Sequence, residues 1–324
     1  MAKVLGIGNA LVDILTLVED ESLLETLKLP KGSMQLVDGS TAIHVSSTTQ
    51  NLNKSKASGG SAANTIHGLA RLGVETAFIG HVGIDETGDF FRQDMEKATI
   101  KPVLFTSSTP TGIANGIITK DGERTFATYL GAAIELSAEH LDDSLFHGYD
   151  YFYIEGYLVQ NEKLLIRSLD LAKKSGAKIV LDLASYNIVE ANRELLETIL
   201  TNYVDIVFAN EEEAKAFTKS EPEEAVKLLA ERCELAVVKI GAKGSLIRKG
   251  NYEVKVDAIS ATVFDTTGAG DLFAAGFLYG LIEGYDLEKA GMIGSVLAGN
   301  VVEVIGPKMD VDRWNNIQQK IATL

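Results

Sequence analysis

Apolar positions along the chain recur with two different spacings, and the change from one to the other divides it. The run 4–7 is short and wholly apolar and ends at Gly8-Asn9, as in a strand buried on both faces. Residues 33–38 and 113–130 alternate instead, with Ile113, Ile117, Ile118, Thr125, Phe126 and Tyr129 set around an expected turn at Asp121-Gly122. From about residue 60 onward, short β-branched runs take turns with stretches whose apolar side chains return every three or four positions. That pattern predicts helices over 62–72, 162–175, 193–201, 211–217, 222–233, 271–281, 287–304 and 310–320. It predicts strands over 76–79, 150–154, 178–183, 206–209 and 235–240, with a hairpin-like pair at 244–248 and 252–256.

Apolar strands alternating with helices imply an α/β fold, a mostly parallel sheet covered on both faces. The β-rich pieces before 60 and around 100–130 are interleaved with this part, so they are expected to form a small second sheet over the first. No Pro- or Ser-rich linker and no internal repeat divides the chain. The expected organisation is one unit over 1–324, with a β lid from segments near 14–50 and 100–130 and an α/β core from the remainder. In open sheets of this kind ligands sit beyond the carboxyl ends of the strands, which directs attention to the residues that follow each strand.

Composition narrows the function. Acidic residues number 45 against 30 basic, a net charge of −15, so neither nucleic acid nor an anionic membrane is an expected partner. Any phosphate site must then be built locally, from backbone N–H groups or a metal. Cys233 is the only cysteine, and the five histidines form no HExxH or Cys/His cluster, which leaves disulfides and a zinc site without support. Asn9 and Asp13 interrupt the first apolar stretch, unlike a signal peptide, and no run reaches the ~18 apolar residues of a membrane span. The expectation is a cytoplasmic protein.

Five segments carry chemistry. In Asp265-Thr-Thr-Gly268-Ala269-Gly270-Asp271, small residues open a helix and leave backbone N–H groups pointing one way at the positive end of its dipole. Such a pocket suits a transferring phosphoryl group, and Asp271 beside it can accept a hydroxyl proton. An Asp cap behind a glycine-rich turn would look the same locally. Gly59-Gly60-Ser-Ala-Ala-Asn64 is a second glycine-opened helix start, and Gly8-Asn9-Ala-Leu-Val-Asp13 sets an amide and a carboxylate past the first strand, a pair fitted to a vicinal diol. Asn210 and Glu213 share a helix face and could hold Mg²⁺ directly or through water, or simply cap the helix. Lys239-Ile-Gly241-Ala-Lys-Gly244 follows another strand, where glycines admit a nucleotide or merely turn a hairpin. No P-loop motif occurs, and the dinucleotide fingerprint lacks its third glycine at Leu11 and at Phe273.

At these residues the chain resembles the ribokinase (PfkB) family of carbohydrate and nucleoside kinases. The segment 265–271 is similar to that family's C-terminal signature. Gly59 to Asn64, with Val82-Gly-Ile-Asp85-Glu-Thr-Gly88, is similar to its N-terminal one, and Asn210 to Glu213 matches its NxxE element. The motifs occur in family order over residues 6 to 306. The resemblance implies a ribokinase-like three-layer α/β/α core with a mostly parallel central sheet and a small β-sheet lid. It implies transfer of the ATP γ-phosphoryl group to a hydroxymethyl, with Asp271 as base and Gly268, Ala269 and Gly270 as anion hole. Asn9, Asp13, Gly59, Gly60 and Asn64 would hold the acceptor. Asn210 and Glu213 would organise Mg²⁺ through water, and Lys239, Gly241, Gly244 and Thr267 would border the nucleotide. Asp265 and Thr267 stand where relatives bind a monovalent cation such as K⁺. Lys239 replaces a frequent Thr.

Within the family, Gly32-Ser-Met-Gln-Leu-Val-Asp38, Gly156-Tyr-Leu, Leu183-Ala-Ser185 and Tyr203-Val-Asp-Ile-Val-Phe-Ala-Asn210 are more similar to adenosine kinases than to ribokinases or fructokinases. Asp182 and Thr267 depart from the Asn frequent at both positions. Met34, Leu36 and Phe126 would line an adenine slot, and Arg124 at the hairpin tip would fold over the phosphates. The expected activity is phosphorylation of a 5′-hydroxyl, adenosine to AMP. The alternatives are a kinase for a free sugar (ribose, fructose or a related one) and a nucleoside or sugar sensor without turnover. A dehydrogenase lacks its fingerprint. Monomer and homodimer both remain open.

Overall fold

Each short apolar run becomes a strand, because strands buried on both faces need apolar side chains on both. A computed structural model describes residues 2–120 and 123–324; the expected turn at Asp121-Gly122 lies outside them. The chain opens with β1 (Lys3–Ile7), β2 (Leu11–Leu17), α1 (Ser22–Leu27), β3 (Met34–Leu36), α2 (Gly39–Thr48) and β4 (Lys54–Gly59). Then come α3 (Ser61–Arg71), β5 (Glu75–Gly83), α4 (Glu86–Lys97), β6 (Ile100–Ser107), β7 (Gly112–Ile118) and β8 (Arg124–Tyr129). The regular alternation follows as β9 (Tyr151–Glu155), α5 (Glu162–Ser175), β10 (Lys178–Asp182), α6 (Tyr186–Ala191), α7 (Arg193–Asn202), β11 (Ile206–Asn210), α8 (Glu211–Thr218), α9 (Pro222–Ala230) and β12 (Leu235–Lys239). The chain closes with β13 (Ser245–Lys249), β14 (Tyr252–Val256), α10 (Ala269–Ile282), α11 (Leu287–Val301) and α12 (Val311–Thr323).

Nine strands form the large sheet in the order β14-β13-β12-β11-β10-β9-β1-β5-β6. All neighbours from β12 to β6 pair in parallel, and β13 and β14 return antiparallel at one edge. Alternate side chains along β1 enter different cores: Val4 packs under α3, α10 and α11, whereas Leu5 and Ile7 pack under α5 and its neighbours. The result is three layers, helix on sheet on helix. Strand order reverses between β1 and β9, and a crevice is expected at the carboxyl ends of that pair.

The second sheet has the order β3-β8-β7-β2-β4, with its own small core of Leu24, Leu27, Leu29, Val45, Ile117 and Ala127. Its strands do not follow the expected lid boundaries. β2 starts at Leu11, β4 runs to Gly59, and 39–48 within the expected lid is helical. Residues 100–107 belong to the large sheet, where β6 pairs with β5 along eight residues. The amphipathic α4 is the reason: it returns the chain to lie parallel to β5, the usual outcome of a strand–helix–strand crossover. No helix among the described residues is long and apolar enough to cross a membrane.

Candidate active site

Five consecutive strands of the parallel sheet end on a polar residue or lead straight into one. Asn9 follows β1, and Glu155, Asp182, Asn210 and Lys239 terminate β9, β10, β11 and β12. Register aligns Asp182 with Glu155 and Asn210 with Lys239, so these groups stand in a row along one edge of the sheet. Over that edge a cleft of about 1250 Å³ opens between the large sheet and the second sheet. Asn9, Asp13, Gly60, Asn64, Asn210, Glu213, Lys239, Gly241, Gly244, Thr267, Ala269, Gly270 and Asp271 all line it. Gly59, Asp265 and Gly268 do not. Gly59 stands behind Asp13, where a Cβ would lie 2.2 Å from Asp13 Oδ1; its missing side chain is the space the carboxylate fills.

Asp271 is the third residue of α10. Its Oδ1 accepts from Ser61 Oγ at 2.7 Å and its Oδ2 from Asn64 Nδ2 at 3.0 Å. Both donors belong to the first turn of α3, so one glycine-opened helix holds the carboxylate of the other. Burial pushes the Asp271 carboxyl up to about 6, against the pull of those two hydrogen bonds. Gly268 precedes the helix with φ 76°, a left-handed conformation that favours glycine. The N–H of Ala269 donates to Thr266 O at 3.2 Å, whereas those of Gly270 and Asp271 have no backbone acceptor among the described residues. Gly268 N–H has no acceptor among the described residues either, so of the three amides singled out in the sequence only that of Ala269 is engaged, because Thr266 turns back on it.

Lys239 lies against this start. Its Nζ is 3.1 Å from the place a Cβ on Gly270 would take, and 2.8 Å from Asp182 Oδ2. Burial works against a charge on Lys239, but Asp182 and Glu213 more than offset it and its pKa is raised. Two of the three departures noted in the sequence, Lys239 and Asp182, are thus one buried ion pair.

Asn210 and Glu213 bond mainly to each other. Asn210 donates from its backbone N–H to Glu213 Oε2 and from Nδ2 to Oε1, both at 2.7 Å, and Glu213 N–H donates back to Asn210 Oδ1 at 2.8 Å. This is a reciprocal helix cap. Burial raises the Glu213 carboxyl, and Asp182 adds to the rise. No group of three metal-ligating side chains occurs among the described residues. The set fits Mg²⁺ only in the usual manner for that ion, retaining waters and held largely by substrate phosphates.

Asp265 and Thr267 do not fit a further cation. Asp265 is almost fully buried, and its Oδ1 accepts from Thr267 N and Oγ1 at 2.7 Å each, while Oδ2 accepts from Gly306 N at 2.7 Å. Arg124 of β8 completes the set, 2.9 Å from Asp265 Oδ1 and hydrogen-bonded to Thr266 and Thr267. A guanidinium from the second sheet already supplies the positive charge.

Glu155, which also lines the cleft, was not singled out in the sequence. Its Oε1 accepts from Asn9 N–H at 2.8 Å and Asn9 Nδ2 at 2.7 Å, and its Oε2 accepts from Ala62 N–H at 3.0 Å. It fixes the Asn9 amide so that Oδ1 is left for a ligand, and it closes the N-terminus of α3. Burial pushes its carboxyl up to about 7 despite these donors. The available signal was its place, a carboxylate directly after the apolar run 150–154. In the lining of the cleft Met34 and Leu36, 52% and 60% exposed, stand next to β8, where Met34 pairs with Phe126, and give the second sheet an apolar surface. Ile259, Ala298 and Val302 line a second apolar stretch.

Comparison with known proteins identifies the family and the fold. The model of the pfkB family carbohydrate kinases matches residues 34–313. The crystal structure of adenosine kinase from Sinorhizobium meliloti superposes with a TM-score of 0.88 at 35% identity, over 98% of this chain and 99% of that one. A probable sugar kinase from Rhizobium etli superposes with a TM-score of 0.89 at 34% identity, over 98% of both. An uncharacterized sugar kinase of Archaeoglobus fulgidus is 32% identical over 256 residues, 76% of this chain and 98% of that protein.

Proposed function

The chain belongs to the PfkB family of carbohydrate kinases, phosphotransferases acting on an alcohol group of a sugar or nucleoside, and from that premise we propose that it phosphorylates the 5′-hydroxyl of adenosine with ATP. The observation that carries the nucleoside reading is the apolar surface of Met34, Leu36 and Phe126 on the second sheet, which lines the same cleft as Asn9 and Asp13, with Met34 and Leu36 exposed. A free sugar has no flat apolar body to cover such a surface, whereas a purine does. The 35% identity to an adenosine kinase over nearly the whole chain supports it.

In this reading the acceptor lies under the second sheet, with its ring hydroxyls on Asn9 Oδ1 and Asp13 and its 5′-hydroxyl at Asp271. Asp271 takes the hydroxyl proton; a carboxyl raised to about 6 is still largely ionised at neutral pH and is a better base than an ordinary carboxylate. The nucleotide extends toward Gly241, Gly244 and the apolar stretch at Ile259, with its terminal phosphate at the start of α10. There the free amides, Lys239 and the helix dipole stabilise charge on the equatorial oxygens. Mg²⁺, which the family implies alongside ATP, would neutralise phosphate charge, with Asn210 and Glu213 reaching its waters. Arg124, already tied to the loop at 265–267, holds the second sheet down over the reacting groups.

The test is ADP release from Mg·ATP across adenosine, inosine, ribose, fructose and fructose 6-phosphate. Adenosine turnover well above the others supports the proposal. A free sugar winning keeps the kinase and removes the nucleoside, as the two relatives described as sugar kinases would suggest. Ligand binding without ADP release would leave a sensor.

A further inference from the structure

One buried charge has no part in the chemistry described so far. The ammonium of Lys308 is shut away from solvent and has no hydrogen-bond partner among the described residues, an uncommon and costly state for a charged group. The neighbouring backbone locates it. Gly306 donates its N–H to Asp265 Oδ2, and a Cβ on Gly306 would lie 2.7 Å from Leu15 Cδ1. Pro307 packs on Gly268, its Cβ 2.7 Å from where a Cβ of that glycine would sit. Leu15 and Asp13 are two residues apart on β2 and therefore point to the same face. The 306–308 segment is thus wedged between the start of α10 and the face of β2 that carries Asp13.

We infer that Lys308 is a positioning residue for the acceptor: its ammonium stands behind Asp13 and keeps that carboxylate ionised, so that both oxygens can accept hydroxyl hydrogens. The inference rests on Asp13 binding the acceptor, as proposed above. Asp13 is buried, faces the cleft, and accepts no hydrogen bond from the protein among the described residues. Burial pushes its carboxyl up to about 7; Lys308 opposes that rise, while Asp271 and Asp265 add to it. Burial lowers Lys308 in turn to about 8, against the attraction of Asp94 on α4, Asp13 and Asp271, with Arg71 on α3 repelling it. His67, also on α3, is kept neutral mainly by burial and feels Lys308 second. Asp94 and Asp271 already have donors, Ser58 N and Oγ for the first and Ser61 and Asn64 for the second. Asp13 is left as the carboxylate whose charge depends on Lys308. A neutral Asp13 would accept less and bind hydroxyls more weakly, because charge-assisted hydrogen bonds are about twice as strong.

The experiment measures kcat and KM for the acceptor that turns over best, from pH 5.5 to 9, in the wild type, Lys308→Met and Lys308→Arg, and again in an Asp13→Asn background. Near pH 7 Lys308→Met should raise the acceptor KM about tenfold with kcat within about threefold. The pH at which acceptor affinity is lost should move up by about one unit. Lys308→Arg should stay near wild type, and Lys308→Met should add nothing once Asp13 is Asn. A loss in kcat equal to that in KM, no displacement of the pH profile, or an effect that persists in Asp13→Asn would overturn the inference. Circular dichroism checks folding, and Lys308→Gln takes the place of the methionine variant if that one unfolds. A ¹³C-carboxyl NMR titration of Asp13 in substrate-free protein, wild type against variant, reads the same displacement without turnover. A chain that phosphorylates nothing in the panel would thus sink the function proposal while the NMR comparison still decides this one.

Discussion

Two helices of this protein start in nearly the same way, and the cleft uses them in opposite ways. α3 begins after Gly59-Gly60 and α10 after Gly268, and neither has a side-chain cap from its own preceding residue. At α3 the carboxylate of Glu155 sits on Ala62 N–H, so a negative group already fills the positive end of the dipole. At α10 the neighbouring charges are cationic, Lys239 beside Gly270 and Arg124 on Thr266 and Thr267, and amides remain open to the cleft. The closed start acts as a bracket that holds Asp271 and Asn9. The open start is the proposed anion site. A glycine-rich helix opening therefore says little about anions until the neighbouring strands are known.

The largest test of that contrast is at the carboxylate shared by both helices. Asp271→Asn should lower turnover by ~10²–10⁴ while leaving the circular dichroism spectrum and thermal midpoint close to wild type; a loss under tenfold would remove Asp271 as the base. Next is the cation at the open start. Lys239→Met leaves Asp182 buried without its partner and should cost about 3–5 kcal/mol of stability. Lys239→Met with Asp182→Asn should regain most of the stability measured by urea unfolding, yet keep a KM for ATP raised about tenfold or more. Full recovery of ATP affinity in the double variant would show that Lys239 only balances Asp182.

A smaller effect is expected at the closed start. Glu155→Gln replaces one acceptor oxygen by an NH₂ group facing N–H donors, and should cost about 1–3 kcal/mol. It should also raise the acceptor KM rather than the ATP KM, because it loosens Asn9. An increase confined to ATP would mean that the two starts are assigned the wrong way round.

The smallest and broadest effect is on pH. Asp13, Glu155 and Asp271 all have carboxyls raised by burial, to about 7, 7 and 6. A raised folded pKa means the native state binds the extra proton between about pH 4 and 7. Stability from these groups is thus greatest below their ordinary pKa and is lost as pH rises through the folded values. Each contributes on the order of 1 kcal/mol per pH unit within that window, opposed by His67, whose pKa is lowered. The thermal midpoint of substrate-free protein should fall from pH 5 to pH 7.5. A midpoint that rises over that interval would contradict carboxyl pKa values raised by burial.

Much of the core was legible because its strands are apolar on both faces and its helices repeat regularly: the expected helix 162–175 coincides with α5. β4 was not legible, since Lys54–Gly59 reads KSKASG and is a strand only because it pairs with β2 along six residues. β6 was misplaced because its alternating pattern looks the same at the edge of either sheet. The same division holds for the site. Asn9, Asn64, Asn210, Lys239 and Asp271 could be singled out as candidates, since each stands at or just past a strand end or in the first turn of a helix; Asp13 could be singled out only by its spacing from Asn9, since it lies inside β2. Glu155 and Lys308 were not, because their roles depend on partners 146 residues away in one case and on the absence of any hydrogen-bond partner in the other.

By itself, then, the sequence determined the alternation of layers and the residue types available at the strand ends, because periodicity and local backbone chemistry act over a few positions. Only the tertiary structure decided which helix start is filled by a carboxylate and which stays open, and that Lys239 and Asp182 form one pair. It also decided that Arg124 meets Asp265. Charges in a low-dielectric cleft take their meaning from neighbours a few ångströms away in space, and those neighbours are remote along the chain.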